Sequence, residues 1–318
     1  MKRREFLVTI SSTLLVAPAF AQQSSRVYTV GVLFGGAKAS MPTYRAALVE
    51  RLAAHGFVEP RNLHIEARAS HGGWSNTARE LVALKPDALL TCTTIATQDA
   101  KGVAGTIPIV FTWVADPVAA KLVQSYAQPG GNITGVSNRY AELLAKRLEL
   151  ARELVPAAKR VAITGVGYPP YLLPLRRAAE KLDIELVELP AYDWEASVEQ
   201  AKAAGAEAII PLIGFTVYGL GLSGKAVVKA AREHRIPVIF AGAEMVDAGG
   251  LISYGTNLVD DIRRAADILA RVLKGADPAT IPVDQAAHFE LVVNLKTAKA
   301  IGIKIPQSIL LRADRVIE

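Results

Sequence analysis

The chain has 318 residues, of which 51% are hydrophobic and 21% are charged. This balance excludes a disordered or fibrous chain, and the length suits two domains of ordinary size better than a single core. The formal net charge is +6, but the basic residues lie among carboxylates at helical spacing, as at 176–185 and 260–267. A nucleic-acid-binding surface is therefore not expected. A single cysteine, Cys92, excludes an internal disulfide.

The first 21 residues predict an export signal. A basic start that includes Arg3 and Arg4 precedes an apolar stretch over 6–20, which closes on Ala-Phe-Ala. This pattern is typical of a signal peptide cleaved after Ala21, and the paired arginines resemble a twin-arginine export signal. The stretch is too short, and too rich in Ser and Thr, to favour a membrane span. We therefore expect a soluble mature protein in the periplasm.

Short apolar runs alternate with helical patterns from residue 27 onward. In the first half of the chain the expected strands are 27–34, 63–69, 87–92, 107–113 and 132–137. Helices are expected to begin at Met41, Ser75 and Thr93-Thr94, and after the Ala-Asp-Pro at 115–117. The alternation predicts a parallel sheet with helices on both faces.

The second half repeats this pattern after a long amphipathic helix over 140–155. The expected strands are 159–164, 184–189, 206–211, 236–242, 250–255 and a run starting at Phe289. The expected helices are near 171–182, 194–204, 225–234 and 257–275, with one more in the tail. Ligands bind outside the carboxyl ends of the strands in such sheets, so two facing α/β units predict a cleft lined by strand-to-helix loops.

Four segments carry a resemblance to a known family. They are TIPIVFTWVADPVAAKLVQSYAQPGGNITGVS, ELLAKRLELARELVPAAKRVAI, DAGGLISYG and HFELVVNLKTAKAIGIKIPQSILLRAD. In this order they resemble the bacterial ABC transporter substrate-binding family that includes tryptophan-binding-lipoprotein-like importer subunits. The resemblance covers nearly the whole mature chain.

The resemblance implies the type I periplasmic-binding-protein fold: α/β, with two doubly wound parallel-sheet lobes joined by a three-crossing hinge. By this analogy the crossings fall near Ser137, Gly255 and Asp284. Lobe I is then expected to comprise 27–137 with 256–284. Lobe II is expected to comprise 138–255 with 285–318.

The implied function is that of a periplasmic solute-binding component of an ABC importer. It would capture an amino acid or an aromatic or carboxylic acid by hinge closure. It would then deliver the solute, as a monomer, to an inner-membrane ABC permease, without cofactor, metal or catalytic residue. A sensory binding protein that presents its ligand to a receptor, and a secreted α/β hydrolase, are the alternatives. The loops 165–174 and 212–225 resemble no version whose solute can be named.

Candidate binding residues in the first half follow the predicted strands. Thr93 and Thr94 can bind a carboxylate with their hydroxyls and the helix N–H groups, or simply cap the helix. Gly35 and Gly36 allow close approach of the backbone to a ligand, or form a plain turn. Trp113 is expected either to stack on the ligand as a wall of the cleft or to pack in the core. Asp116 is expected either to contact the ligand or to cap the next helix.

Candidate residues in the second half are aromatic or acidic. Tyr168, Phe215 and Tyr218 lie on predicted loops and suit an aromatic or amphipathic solute, or pack internally. Glu244 follows a strand and can pair with a ligand ammonium, or can act as a first-turn carboxylate of a helix. If Glu244 binds the ligand, an amino acid is the expected solute.

Motifs for chemistry are missing from the sequence. The five histidines show no metal-ligand spacing, and no Gly-x-Ser-x-Gly nucleophile motif occurs. The run 219–226 has the spacing of a phosphate-binding loop, but Ala226 stands where Ser or Thr would hold magnesium. Cys92 ends a buried-looking strand, and we interpret it as a core residue.

Overall fold

The computed structural model describes residues 26–35, 41–70, 73–165, 169–189, 194–212 and 222–318. Its strands are β1 Tyr28–Phe34, β2 Leu63–Ala69, β3 Ala88–Cys92, β4 Ile109–Val114, β5 Ile133–Ser137, β6 Arg160–Thr164, β7 Glu185–Leu189, β8 Ala208–Pro211, β9 Ile239–Phe240, β10 Ile252–Gly255, β11 Asp284–Gln285, β12 Glu290–Asn294 and β13 Arg315–Ile317. Its helices are α1 Met41–Ala54, α2 Trp74–Ala83, α3 Thr94–Lys101, α4 Tyr140–Leu154, α5 Pro169–Leu182, α6 Trp194–Ala203, α7 Leu222–Glu233, α8 Ala243–Asp247, α9 Leu258–Leu273, α10 Leu295–Ile301 and α11 Gln307–Leu310.

The first sheet has six parallel strands in the order β11-β5-β4-β3-β1-β2. Strands β3, β4 and β5 are buried along their whole length, as expected where helices cover both faces of a parallel sheet. Helices α1 and α9 pack on one face. Helices α2 and α3 pack on the other face.

The second sheet is assembled from two groups of strands. One group has the strand order β7-β6-β8 and the other has the order β13-β12-β10-β9. A parallel bridge between Ile209 and Val238 joins the two groups. All described pairings in it are parallel except that of β10 with β12. Helices α4, α5 and α10 cover one face, and α6, α7 and α8 cover the other.

The chain passes between the sheets after β5, after β10 and after β11. Side chains at the three passages contact one another. The guanidinium carbon of Arg139, just after β5, lies 5.7 Å from the centre of the Phe289 ring, just before β12. The Phe289 ring centre lies 6.1 Å from that of Tyr254, near the end of β10. The passages therefore form one packed region between the sheets.

Two predicted elements differ from the structure. The helix expected after Pro117 is only a hydrogen-bonded turn, and it ends at Lys121, which has a left-handed φ of 56°. The strand expected over 236–242 shrinks to β9, because Pro237 near its start has no N–H to donate to a ladder and Gly242 at its end is the N-cap of α8. Glu244 lies in the first turn of the short helix α8, which is one of the two alternatives that the sequence allowed for it. No helix in the described ranges has the length and apolar character needed to cross a bilayer.

Candidate functional site

The carboxyl ends of the parallel strands carry the predicted binding residues that the structure describes. Gly35 follows β1, Thr93 follows β3, and Asp116 lies two residues beyond β4. In the second sheet, Glu244 lies in the first turn of α8, shortly after β9. These edges are where open α/β sheets bind ligands.

Thr93 is the N-cap residue of α3 and is almost buried. Its φ of 90° is unusual for a β-branched residue, and such strain is typical of functional sites. Its Oγ1 accepts the Ala96 N–H at 3.5 Å, the outer limit of a hydrogen bond. Thr94, also buried, is the first residue of the helix. Because this bond is weak, the Thr93 hydroxyl can still donate a hydrogen bond to a ligand or accept one from it.

Gly35 packs tightly against the start of α3. A Cβ atom at this position would lie 2.5 Å from the Cys92 carbonyl oxygen and 2.8 Å from the Thr93 Cγ2. Only glycine fits there, so β1 and the Thr93 turn approach each other more closely than side chains would permit.

Trp113 lies in the core of the first half rather than at a cleft mouth. It is 2% exposed, and its ring contacts Phe34 and Tyr44 at centroid distances of 5.5 and 4.9 Å. Its indole N–H donates to the Leu258 carbonyl oxygen at 3.3 Å. The structure thus places Trp113 as the expected core residue, behind Tyr44.

Asp116 caps the turn that replaces the expected helix. Its Oδ1 accepts the N–H groups of Val118 and Ala119 at 3.0 and 2.9 Å. Both bonds are local, so the side chain performs the capping role that the sequence also allowed.

Glu244 is the buried acid of the second half. Burial raises the pKa of its carboxyl group, its own N–H partly offsets this, and the charges of Asp247 and Glu290 raise it further. Its Oε1 is buried and has no hydrogen-bond partner. A carboxylate in this state attracts a cation, because a positive group would satisfy the oxygen and lower the pKa.

Glu244 also interacts with the first half of the molecule. Burial raises the pKa of the Tyr44 hydroxyl, and the negative charge of Glu244 raises it further. Tyr44 lies in the first turn of α1, at the carboxyl edge of the first sheet. The two sheet edges therefore face each other closely enough for their groups to interact electrostatically.

The remaining predicted site residues, Gly36, Tyr168, Phe215 and Tyr218, lie outside the described residues.

Several buried polar atoms near the strand ends were not singled out from the sequence. Thr112 Oγ1, Asn138 Oδ1 and Thr164 Oγ1 have no hydrogen-bond partner, and neither does Arg147 Nη1. Buried polar groups are normally paired, so such atoms mark places where a ligand or water can bind. Arg147 carried a signal in the sequence: it falls on the apolar stripe of α4, three and seven residues after Leu144 and Tyr140.

The single cysteine is not activated as a nucleophile. Burial raises the pKa of the Cys92 thiol well above its usual range, so the thiolate that a nucleophile requires is disfavoured. Within the described ranges, no cluster of three or more His, Cys, Asp or Glu residues can hold a metal ion.

Comparison with known proteins identifies the class. A family model described as ABC transporter substrate binding protein matches residues 30–317. The chain therefore belongs to the ABC transporter substrate-binding protein family, which confirms the resemblance noted in the sequence. Proteins of this family bind a solute outside the cytoplasm and act in transport rather than catalysis.

Individual relatives agree with this assignment. A tyrosine-binding protein of Clostridioides difficile is 28% identical over 272 residues, which are 83% of this chain and 78% of the relative. A conserved domain protein of Vibrio cholerae has a solved structure that is 30% identical, with a TM-score of 0.81, covering 92% of this chain and 100% of the other. An ABC domain from Streptococcus pneumoniae, solved in complex with L-Trp, is 25% identical with the same TM-score and coverage. The predicted fold class is thereby confirmed.

Proposed function

We propose that this protein is the exported binding component of an ABC importer for an amino acid, with an aromatic amino acid as the preferred solute. The observation that carries the proposal is Glu244, a buried carboxylate with a bare oxygen at the edge where the two sheets face each other. In a low-dielectric site, an ammonium group is the natural partner of such an oxygen.

The carboxylate end of the amino acid fits the start of α3. The first N–H groups of a helix attract anions through the helix dipole, and the Thr93 hydroxyl lies at the same point. A solute held there and at Glu244 would contact both halves of the protein at once. The tyrosine-binding relative and the neighbour solved with L-Trp support an aromatic side chain.

Binding would proceed by closure of two lobes. Lobe I would comprise 27–137 with 256–284, and lobe II 138–255 with 285–318. The three passages between the sheets would act as the hinge. A solute that contacts both lobes only in the closed form shifts the open–closed equilibrium toward closure. The closed form would then be recognised by an inner-membrane permease, after export directed by residues 1–21 and cleavage after Ala21.

The first test is a thermal-shift and calorimetric screen of residues 22–318 against the common amino acids, tryptamine and simple aromatic acids. A solute that binds only the folded protein raises the melting temperature as its concentration increases. We expect saturable binding of L-tyrosine or L-tryptophan, with the compound recovered unchanged. Binding of aromatic acids that lack an ammonium group, at equal affinity, would contradict the role of Glu244.

The Glu244→Gln variant tests the residue directly. It should weaken amino acid binding by roughly 30-fold or more, because it removes a buried charge partner of the ammonium. It should not lower the melting temperature of the protein alone, because burial disfavours the carboxylate in the absence of solute. Asp247→Asn is the matched control, since Asp247 lies on the same helix but pairs with Arg315 at the surface. Asp247→Asn should not weaken amino acid binding, because removing a charge that raises the pKa of Glu244 favours the ionised carboxyl group.

A further inference from the structure

Arg147 is a buried cation without an anion. It lies on α4 and is 1% exposed. Among the described residues, no Asp or Glu forms an ion pair with it. Its Nε donates to the Tyr254 carbonyl oxygen at 2.8 Å, whereas Nη1 has no hydrogen-bond partner.

The guanidinium of Arg147 lies at the carboxyl edge of the second sheet. Helical side chains lean toward the helix N-terminus, and this one reaches back over the ring of Tyr140, 4.6 Å from its centre. Tyr140 begins α4, and its hydroxyl donates to the carbonyl oxygen of Pro211, the last residue of β8, at 3.3 Å. The charged group is therefore level with the end of β8.

The ends of β9 and β10 meet at the same place. A Cβ atom at Gly255, the last residue of β10, would lie 1.8 Å from the Ala241 carbonyl oxygen and 3.3 Å from Arg147 Nη2. Ala241 directly follows β9, and Glu244 lies three residues further along the chain. This edge of the second sheet therefore carries both Glu244, whose Oε1 has no partner, and Arg147, whose Nη1 has none.

The two charges do not neutralise each other. Arg147 and Glu244 form no salt bridge, and neither contributes to the pKa shift of the other. Burial lowers the pKa of Arg147, and Tyr140 and Tyr254 offset this only in part. A buried guanidinium is costly unless an acceptor satisfies its N–H groups, and a carboxylate does so best.

We propose that Arg147 binds the carboxylate of the solute from the second half, through its Nη1 N–H, while α3 binds it from the first. This inference rests on the proposed function, because it assigns a contact to the same amino acid. The second half then recognises both charges of the zwitterion, with Glu244 for the ammonium and Arg147 for the carboxylate. A solute that lacks either charge would leave one buried group uncompensated.

The test compares Arg147→Gln with the unaltered protein, using L-tryptophan and tryptamine, which lacks the carboxylate. Calorimetry on residues 22–318 gives the dissociation constant of each compound. The unaltered protein should bind L-tryptophan more tightly than tryptamine. The variant should lose roughly 30-fold or more of its affinity for L-tryptophan, while its affinity for tryptamine stays nearly the same. The loss of preference between the two compounds is the signature of contact with the carboxylate.

Arg152→Gln is the matched control. Arg152 lies on the same helix and also donates to main-chain carbonyl groups, those of Leu182 and Asp183, but at the far end from the sheet edge. It should leave both affinities unchanged. Arg147→Lys, which retains the charge, should keep part of the preference for L-tryptophan and covers the case in which the Gln variant does not fold.

Three results are decisive. If Arg147→Gln weakens both compounds by the same factor, or weakens neither, Arg147 only supports the fold and the inference is wrong. The same conclusion follows if Arg147→Lys shows a full loss for both compounds. If the unaltered protein binds no amino acid at all, the proposed function itself fails, and the inference with it.

Discussion

The two halves of the protein treat their buried ionisable groups differently. In the first half, Asp261 at the start of α9 accepts a hydrogen bond from the Thr256 hydroxyl at 2.9 Å. In the second half, Glu244 and Arg147 each keep one buried atom without a partner. Both halves also have neutral unpartnered atoms, on Thr112 in the first and on Asn138, Thr164 and Ser253 in the second. Among the described residues, the charged side chains with such an atom all lie in the second half.

This difference indicates a division of labour within the binding site. Neutral hydroxyl and N–H groups of the first half suit the positioning of a solute through dipoles. The uncompensated charges of the second half suit the selection of solutes by their charge, because an unpaired buried charge discriminates strongly among ligands. Three substitutions test whether the two halves differ in this way.

Asp261→Asn has the largest expected effect on stability. Burial raises the pKa of Asp261 from 3.8 to about 7, although Thr256 and Arg264 lower it and Asp260 and Asp284 raise it further. The folded protein therefore holds a proton that the unfolded chain releases, and the free energy of unfolding falls as pH rises from about 4 to about 7. The shift corresponds to at most about 4 kcal/mol.

The Asp261→Asn variant should remove this fall, and urea unfolding between pH 4 and 8 measures it. It should be more stable than the unaltered protein at pH 8, with unchanged affinity for the solute. A loss of affinity comparable to that of Glu244→Gln would show that both halves recognise charge, and the comparison would fail.

Gly255→Ala should destabilise the edge where Arg147 lies. The added methyl group would overlap the Ala241 carbonyl oxygen, with 1.8 Å between the two atoms. We expect a loss of about 3 kcal/mol, the upper part of the usual range for overpacking, together with weaker solute binding. Gly102→Ala is the control, because its Cβ would meet nothing closer than 3.5 Å and its φ is ordinary. A Gly255→Ala variant as stable as the control would mean that the strand ends are not packed as described.

Trp113→Phe should have the smallest effect. It removes the hydrogen bond to the Leu258 carbonyl oxygen, worth about 1 kcal/mol, and leaves the aromatic contacts with Phe34 and Tyr44 largely in place. Thermal unfolding should shift slightly, and solute affinity should not change. If affinity falls while stability holds, Trp113 is a stacking wall after all.

The alternation of strands and helices was predictable because it depends on local patterns. Short apolar runs gave strands such as β3 and β5, and Thr93 acts as an N-cap, as the sequence allowed. The element after Pro117 was mispredicted for a local reason as well. Asp116 caps only one turn there, and the left-handed Lys121 ends it.

The site was predictable only in part. The strand-end position of Thr93 and Glu244 follows from the rule for doubly wound sheets. The burial of Trp113 behind Tyr44 does not, because it depends on how α1 and α9 pack on the first sheet. The position of Arg147 on the apolar stripe of α4 is a weak signal, because a charged residue on an amphipathic helix normally lies on the solvent face.

The family resemblance, the α/β architecture and the strand-end positions of several polar residues could be predicted from the sequence, because they depend on local patterns and chain order. Which polar groups lose water without gaining a partner is visible only in the folded protein. Burial depends on which elements pack together, and the pKa shifts of Glu244 and Asp261 arise chiefly from burial. For the same reason, only the structure distinguishes Arg147, which is buried at a sheet edge, from Arg152, the other arginine of α4.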